Sequence, residues 1–162
     1  MLMKFQTFSL GISLFLSGLY GGTGFFTIMG GNPAVARLSE RGFAEYWQQV
    51  DSFMGTRMPV FGPILLLSLL TSVITLSAAW RSVSFWLALL ALIIIISDII
   101  FTLSTNHPLN QLIQSWDLQH LPSNVKEVQA KVVYAFWFRS FFMIASFACV
   151  VLAFILNKIK VY

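Results

Sequence analysis

From Phe5 to Ala36 the chain carries no Asp, Glu, Lys or Arg, and the same holds from Met58 to Trp80. Between Ser82 and Thr105 a single charge, Asp98, interrupts an otherwise apolar run, and Ser140 to Asn157 has none. A spanning helix needs about 20 mostly apolar residues at ~1.5 Å each. In hydrocarbon its backbone groups must all be bonded within the segment. The expectation is therefore an all-α integral membrane protein, a four-transmembrane-helix bundle with spans near residues 5–29, 57–80, 82–105 and 131–156. Composition agrees: hydrophobic residues are 57% of 162 and charged residues 10%, where soluble domains carry about a quarter charged. The bilayer is the solvent, and residues 1–162 read as one membrane domain. The first apolar run begins after Lys4 as a signal peptide would, but it is too long for such a segment and reads as a span.

Four spans put both termini and the Trp80–Arg81 turn on one side. That side holds Lys4, Arg81, Lys158 and Lys160 with no acid. On the other side Arg37, Arg41 and Arg57 meet Glu40, Glu45 and Asp51, and Lys126 and Lys131 meet Asp117 and Glu127. The net charge of +4 thus lies wholly on the terminal side. The positive-inside rule then predicts cytoplasmic termini in a cytoplasmic (inner) membrane, with both long loops outside. Basic charge placed by topology excludes nucleic acid as the partner it would otherwise suggest. The lone Cys149 rules out an intrachain disulfide and a thiolate cluster. His107 and His120 with distant carboxylates match no metal-ligand spacing, so no metal is expected.

Small residues recur along the first span at Ser9, Ser13, Ser17 and Gly21, with Gly18 and Gly22 beside them, and the second span carries Ser68, Ser72 and Thr75. Such faces let helix backbones approach closely, so spans 1 and 2 are expected to pack through them; the glycines near Tyr20 otherwise make room for a ligand. In the first outer loop Ser39 is a helix cap with Glu40 in the first turn. Phe43, Tyr46, Trp47, Val50 and Met54 then follow at helical spacing, with Gln48, Gln49 and Asp51 opposite. This predicts a short amphipathic outer-face helix between spans 1 and 2, lying at the interface or over the bundle mouth. Between spans 3 and 4, Pro108 predicts that helix 3 ends near Thr105. A polar loop and short helix then begin, capped by Asn106 or His107.

Asp98 lies seven residues, about 10 Å, inside the outer end of span 3, and Arg139 eight residues, about 12 Å, inside that of span 4. The spans are antiparallel, so the charges share a depth. An isolated charge at mid-span costs about 2.5–3.5 kcal/mol even on a lenient scale, and pairing relieves both. Thr102 and Thr105 extend the Asp98 face toward Asn106 and His107. The pattern points either to an ion pair that fixes helix register or to the floor of an outward-facing polar pocket.

Four stretches, "GGTGFFTIMGGNPAVARL", "FAEYWQQVDSFMGTRMPVF", "NHPLNQLI" and "WFRSFF", occur in this order over nearly the full length. Together they resemble the anthrone-oxygenase-like family of four-span membrane proteins, mostly bacterial and of unknown function. Most specific is the turn from Asn106 to Asn110 paired with an Arg in the last span; Phe136 stands where the resemblance leads one to expect an Asn. The resemblance implies a four-helix bundle and, for the fungal polyketide members, oxidation of an anthrone by dioxygen without a cofactor. Such chemistry needs a base and a cation for the oxyanion. Arg139 is then the oxyanion candidate and His107 or Asp98 the base, with Asn106 and Asn110 orienting.

Three functions are compatible with these residues. First comes non-catalytic binding of a lipid, a quinone or a partner helix in the outward-facing pocket. Second comes a cofactor-independent oxygenase acting on an anthrone-like or phenolic substrate. Third comes a small transporter or accessory subunit, against which the outward offset of Asp98 counts. The expected partners are the bilayer, a small hydrophobic or aromatic ligand, and another membrane protein or a second copy of the chain. The residues expected to line the ligand site are Tyr20, Trp47, Gln49, Thr102, Asn106, Asn110 and Tyr134.

Overall fold

The computed structural model describes residues 2–159, and every described element is helical. Lys160, counted above with the terminal charges, lies outside the described residues. Helix α1 (Leu2–Phe26) runs through a wide π turn (Thr27–Gly31) into α2 (Asn32–Arg37). Helix α3 (Glu40–Leu76) returns, and a 3-10 turn (Ser77–Ala79) leads to α4 (Val83–Phe101). A second π turn (Thr102–Asn106) joins α4 to α5 (His107–Gln114), and α6 (Val125–Ile159) closes the bundle. Four helical stretches are long and apolar enough to cross a membrane: Lys4–Arg37, Glu40–Ala79, Val83–Gln114 and Val125–Lys158. The chain is a multi-pass membrane protein.

The helices outrun the bilayer. At ~1.5 Å per residue, the 37 residues of α3 and 35 of α6 reach about 55 and 52 Å, against ~30 Å of hydrocarbon. The surplus lies at the end away from the termini. There α2, α5 and the first halves of α3 and α6 bury Val35, Phe43, Trp47, Ile113, Val125 and Val132 in a distal core. The amphipathic segment expected between spans 1 and 2 is helical from the Ser39 cap, whose Oγ accepts from Gly42 N–H at 3.1 Å. It is not a separate interfacial helix, however. It runs unbroken into the second span, because Phe43, Ala44 and Trp47 bury in the distal core and hold it upright. Pro59 and Pro63 sit inside this helix, each removing one backbone donor.

Helix 3 does not end near Thr105, and neither Asn106 nor His107 caps a new helix with its side chain. The backbone widens instead: His107 N–H reaches five residues back to Thr102 O. Pro108 has no N–H and its ring crowds the carbonyl four residues earlier; a π turn clears the ring without breaking the helix. Before Pro33 the same device recurs, with Asn32 N–H donating to Thr27 O.

In the membrane part α1 packs on α3 and α6, and α4 packs on the same two, so α1 and α4 face each other diagonally. The serine faces meet as expected: Ser13 Oγ lies 2.9 Å from Ser72 Oγ, Ser9 Oγ lies 3.1 Å from Thr75 Oγ1, and Gln6 Nε2 donates to Thr75 O at 2.8 Å. The glycines serve a different contact. A Cβ on Gly21 would lie 2.8 Å from Phe147 Cβ, and one on Gly24 would lie 2.9 Å from Met143 Cβ. They bring α1 close to α6 rather than α3. Gly22 faces open space.

Candidate functional site

Asp98 is the last residue of the inward stripe Ser84, Ala88, Ala91, Ile95 on α4, and only 1% of its side chain is exposed. Burial of a carboxylate at this depth demands a partner. Arg139 on α6 supplies it, donating from Nε to Asp98 Oδ1 at 3.1 Å. The depth match expected from the two antiparallel spans is therefore met by direct contact. A third residue joins across the bundle diagonal. Tyr20 of α1 donates its hydroxyl to the other carboxylate oxygen, Oδ2, and accepts from Arg139 Nη2 at 3.1 Å. Each pair within the triad is thus directly hydrogen bonded, and both carboxylate oxygens are engaged. Arg139 Nη1 has no protein partner among the described residues, and 13% of the side chain is exposed. The guanidinium thus keeps one nitrogen for a third party.

A model of the anthrone oxygenase family matches residues 51–149, more than half of the chain. The chain belongs to the anthrone oxygenase family. The matched segment takes in Asp98, Asn106, Asn110 and Arg139 and leaves Tyr20 and Trp47 outside. No curated protein and no solved structure matches the chain.

In this member of the anthrone oxygenase family, aromatic rings roof the guanidinium. The Phe136 ring lies 5.1 Å from Arg139 Cζ, and Trp47 meets Phe136 edge to face at 5.2 Å between centroids. Trp47 is held in turn: its Nε1–H donates to Asn110 Oδ1 at 3.0 Å, and Asn110 Nδ2 donates to Asp51 Oδ1 at 2.5 Å. Gln114 adds bonds to Gln48 O and Asp51 Oδ2, and Gln48 Nε2 donates to Ile113 O and Trp116 O. These bonds clamp α5 onto α3. Asn110, expected to orient a ligand, spends both ends of its amide on this clamp.

The remaining expected residues divide. Thr102 and Asn106 lie one and two turns beyond Asp98, with Thr102 Oγ1 and both amide atoms of Asn106 buried and unbonded among the described residues. His107, Gln49 and Tyr134 do not join the site. All three are exposed, Tyr134 to 65%, where its ring packs on Phe138. Helical period accounts for this: in the turn before Pro108 the buried face falls on Asn106, which sends His107 outward. His120 pairs with Asp117 at 3.0 Å on the surface. There the Gln119 N–H, and after it His120, hold the Asp117 carboxyl below its ordinary range.

Three contributors were not foreseen in these roles. Phe136 stood out only as filling the place where the resemblance leads one to expect an Asn, Gln48 only as part of the polar face of the outer helix, and Gln114 carried no signal. Tyr20 had a signal that went unused in this sense, since it continues the inward spacing Ser9, Ser13, Ser17 along α1.

Proposed function

We propose that the protein binds a small planar aromatic molecule by a phenolic or quinone oxygen at Arg139, beneath the Phe136 and Trp47 rings. The carrying observation is the unengaged Nη1 of a guanidinium otherwise fixed by Asp98 and Tyr20. A braced cation with one free edge in a low-dielectric setting favours an oxygen acceptor, and flat rings beside it favour a flat partner. The charge distribution supports a site open to the outer face of a cytoplasmic membrane, with both termini inside.

Calorimetric titration of the detergent-solubilised protein with 2-naphthol tests the reading, with R139Q controlling for partition into micelles. Binding weakened at least about tenfold in R139Q is expected, the loss of one charge-assisted bond. Equal affinity of the two proteins would sink the proposal.

Membership of the anthrone oxygenase family favours a second reading, in which the bound molecule is an anthrone that reacts with dioxygen. Loss of a ring CH2 proton gives an enolate whose oxygen rests on Arg139. Its carbon bonds to O2, and the resulting peroxide sheds water to leave a quinone carbonyl, so anthrone and O2 become anthraquinone and water. Binding stands ahead of this because a ready base is wanting: Asp98 is buried with both oxygens bonded, and His107 faces outward. Oxygen uptake with anthrone that exceeds the spontaneous rate and vanishes in R139Q would reverse the order.

A further inference from the structure

The two π turns share one backbone device. Thr27–Gly31 precedes Pro33 and Thr102–Asn106 precedes Pro108. Each opens on a threonine whose carbonyl accepts a bond from five residues on, Asn32 N–H in the first and His107 N–H in the second; a buried asparagine stands one residue before Pro33, Asn32, and two before Pro108, Asn106. In the first turn Thr27 Oγ1 donates to Thr23 O at 2.9 Å, and Asn32 Nδ2 donates to Val133 O at 2.9 Å. In the second, Thr102 Oγ1 and both Asn106 amide atoms have no partner among the described residues, although Asn106 is only 2% exposed. Buried polar groups are nearly always bonded, and an orphan calls for a cause. In register (102 − 27 = 75) Asn32 corresponds to His107 and Asn106 to Gly31, so only the threonines compare directly; Thr27 is bonded, so the π turn does not by itself leave Thr102 without a partner.

We infer that Asn106, with Thr102, forms a second anchor for the molecule held at Arg139 and decides which molecules are accepted. This rests on the binding reading above. The chemistry of the anchor limits what it takes. A primary amide offers one donor group and one acceptor, and a hydroxyl offers either. The nearby charges of Asp98 and Arg139 already compensate each other, so a charged group here would lack a counter-ion. The anchor therefore reads a neutral hydroxyl or carbonyl. Asp98 and Asn106 are eight residues apart, about 12 Å at helical rise. A molecule held at Arg139, beside Asp98, therefore needs a second oxygen well along its length to reach Asn106. That suits oxygens at opposite ends of one or two fused rings. Because the amide is closed off, the side chain must swing to meet its partner, and the π turn is the looser backbone that permits this.

Titration with 2-naphthol and 2,6-dihydroxynaphthalene, in wild type, N106L, T102V and R139Q, separates the two claims. Wild type is expected to prefer the diol by about tenfold, one good hydrogen bond's worth. N106L should bind both alike, losing the preference, and T102V should lose part of it. A melting temperature for N106L at or above that of wild type shows that it folds. An N106L protein that keeps the preference, or weakens both probes equally, overturns the inference. A wild type with Arg139-dependent 2-naphthol binding and no preference for the diol defeats this inference alone. A wild type that binds neither probe defeats the binding reading as well.

Discussion

Replacing Asp98 by Asn leaves Arg139 charged, with 13% of its side chain exposed and its principal counter-ion gone. The substitution keeps a bond from Arg139 Nε to a now neutral oxygen, but the amide nitrogen that replaces the second oxygen cannot accept from the Tyr20 hydroxyl. Breaking a buried ion pair from one side commonly costs about 3–5 kcal/mol, most of it the orphaned charge. D98N is expected near the lower end, because Asn still accepts a bond, and R139Q near the upper end, because it strands a carboxylate that is 1% exposed. The double variant D98N/R139Q holds no orphaned charge and should regain part of the loss, with a coupling of about 1–3 kcal/mol. Reversible unfolding in mixed micelles, read by circular dichroism across all four proteins, gives the cycle. Strict additivity would refute the reasoning, since residues in direct contact within one network cannot act independently.

G21A should destabilise by about 1–3 kcal/mol, because the new methyl meets Phe147 Cβ at 2.8 Å, whereas G22A should be neutral; equal effects on the melting temperature would contradict the α1–α6 contact. N106L is expected to raise stability by about 1–3 kcal/mol by removing unbonded buried atoms, while N32L should lower it through the lost bond to Val133 O. The same denaturation assay checks both signs. N110A, which severs the Trp47 and Asp51 bonds, should speed amide hydrogen exchange in α5 and leave the spans protected; unchanged exchange in α5 would remove its role as a clamp. In a C149A background, D117C should react with an impermeant thiol reagent in intact cells, and R81C only after permeabilisation. The reverse pattern would invert the topology and move the site to the cytoplasmic face.

Much of this was legible in the chain itself, for identifiable reasons. The spans follow from charge-free runs, because hydrocarbon tolerates little else. The Asp98–Arg139 contact follows from two costly charges at one depth on antiparallel helices. Tyr20 was harder, since its partner lies across the bundle diagonal and no periodicity on α1 alone reports what α4 holds. The unbroken α3 was hidden because the amphipathic pattern from Phe43 to Met54 also suits a helix lying at the interface, and only the burial of Phe43 and Trp47 shows the segment held upright. The glycines were read toward α3 because the serine face lies beside them, but only the bulk of Phe147 and Met143 shows that they serve α6. The difference between Asn32 and Asn106 is invisible in sequence. Each is an asparagine close before a proline, one residue before Pro33 and two before Pro108, and only the three-dimensional contacts reveal that one amide donates to a carbonyl and the other is unbonded.

The most direct test is a structure solved with 2-naphthol present. Binding at Arg139 predicts the naphthol oxygen within about 3 Å of Arg139 Nη1, with its rings against Phe136. The rival location is the open apolar groove between α1 and α6, about 570 Å3, lined by Leu14, Phe15, Gly18, Phe147, Val151 and Phe154. Naphthol seated in that groove, with the triad unchanged, would contradict the account.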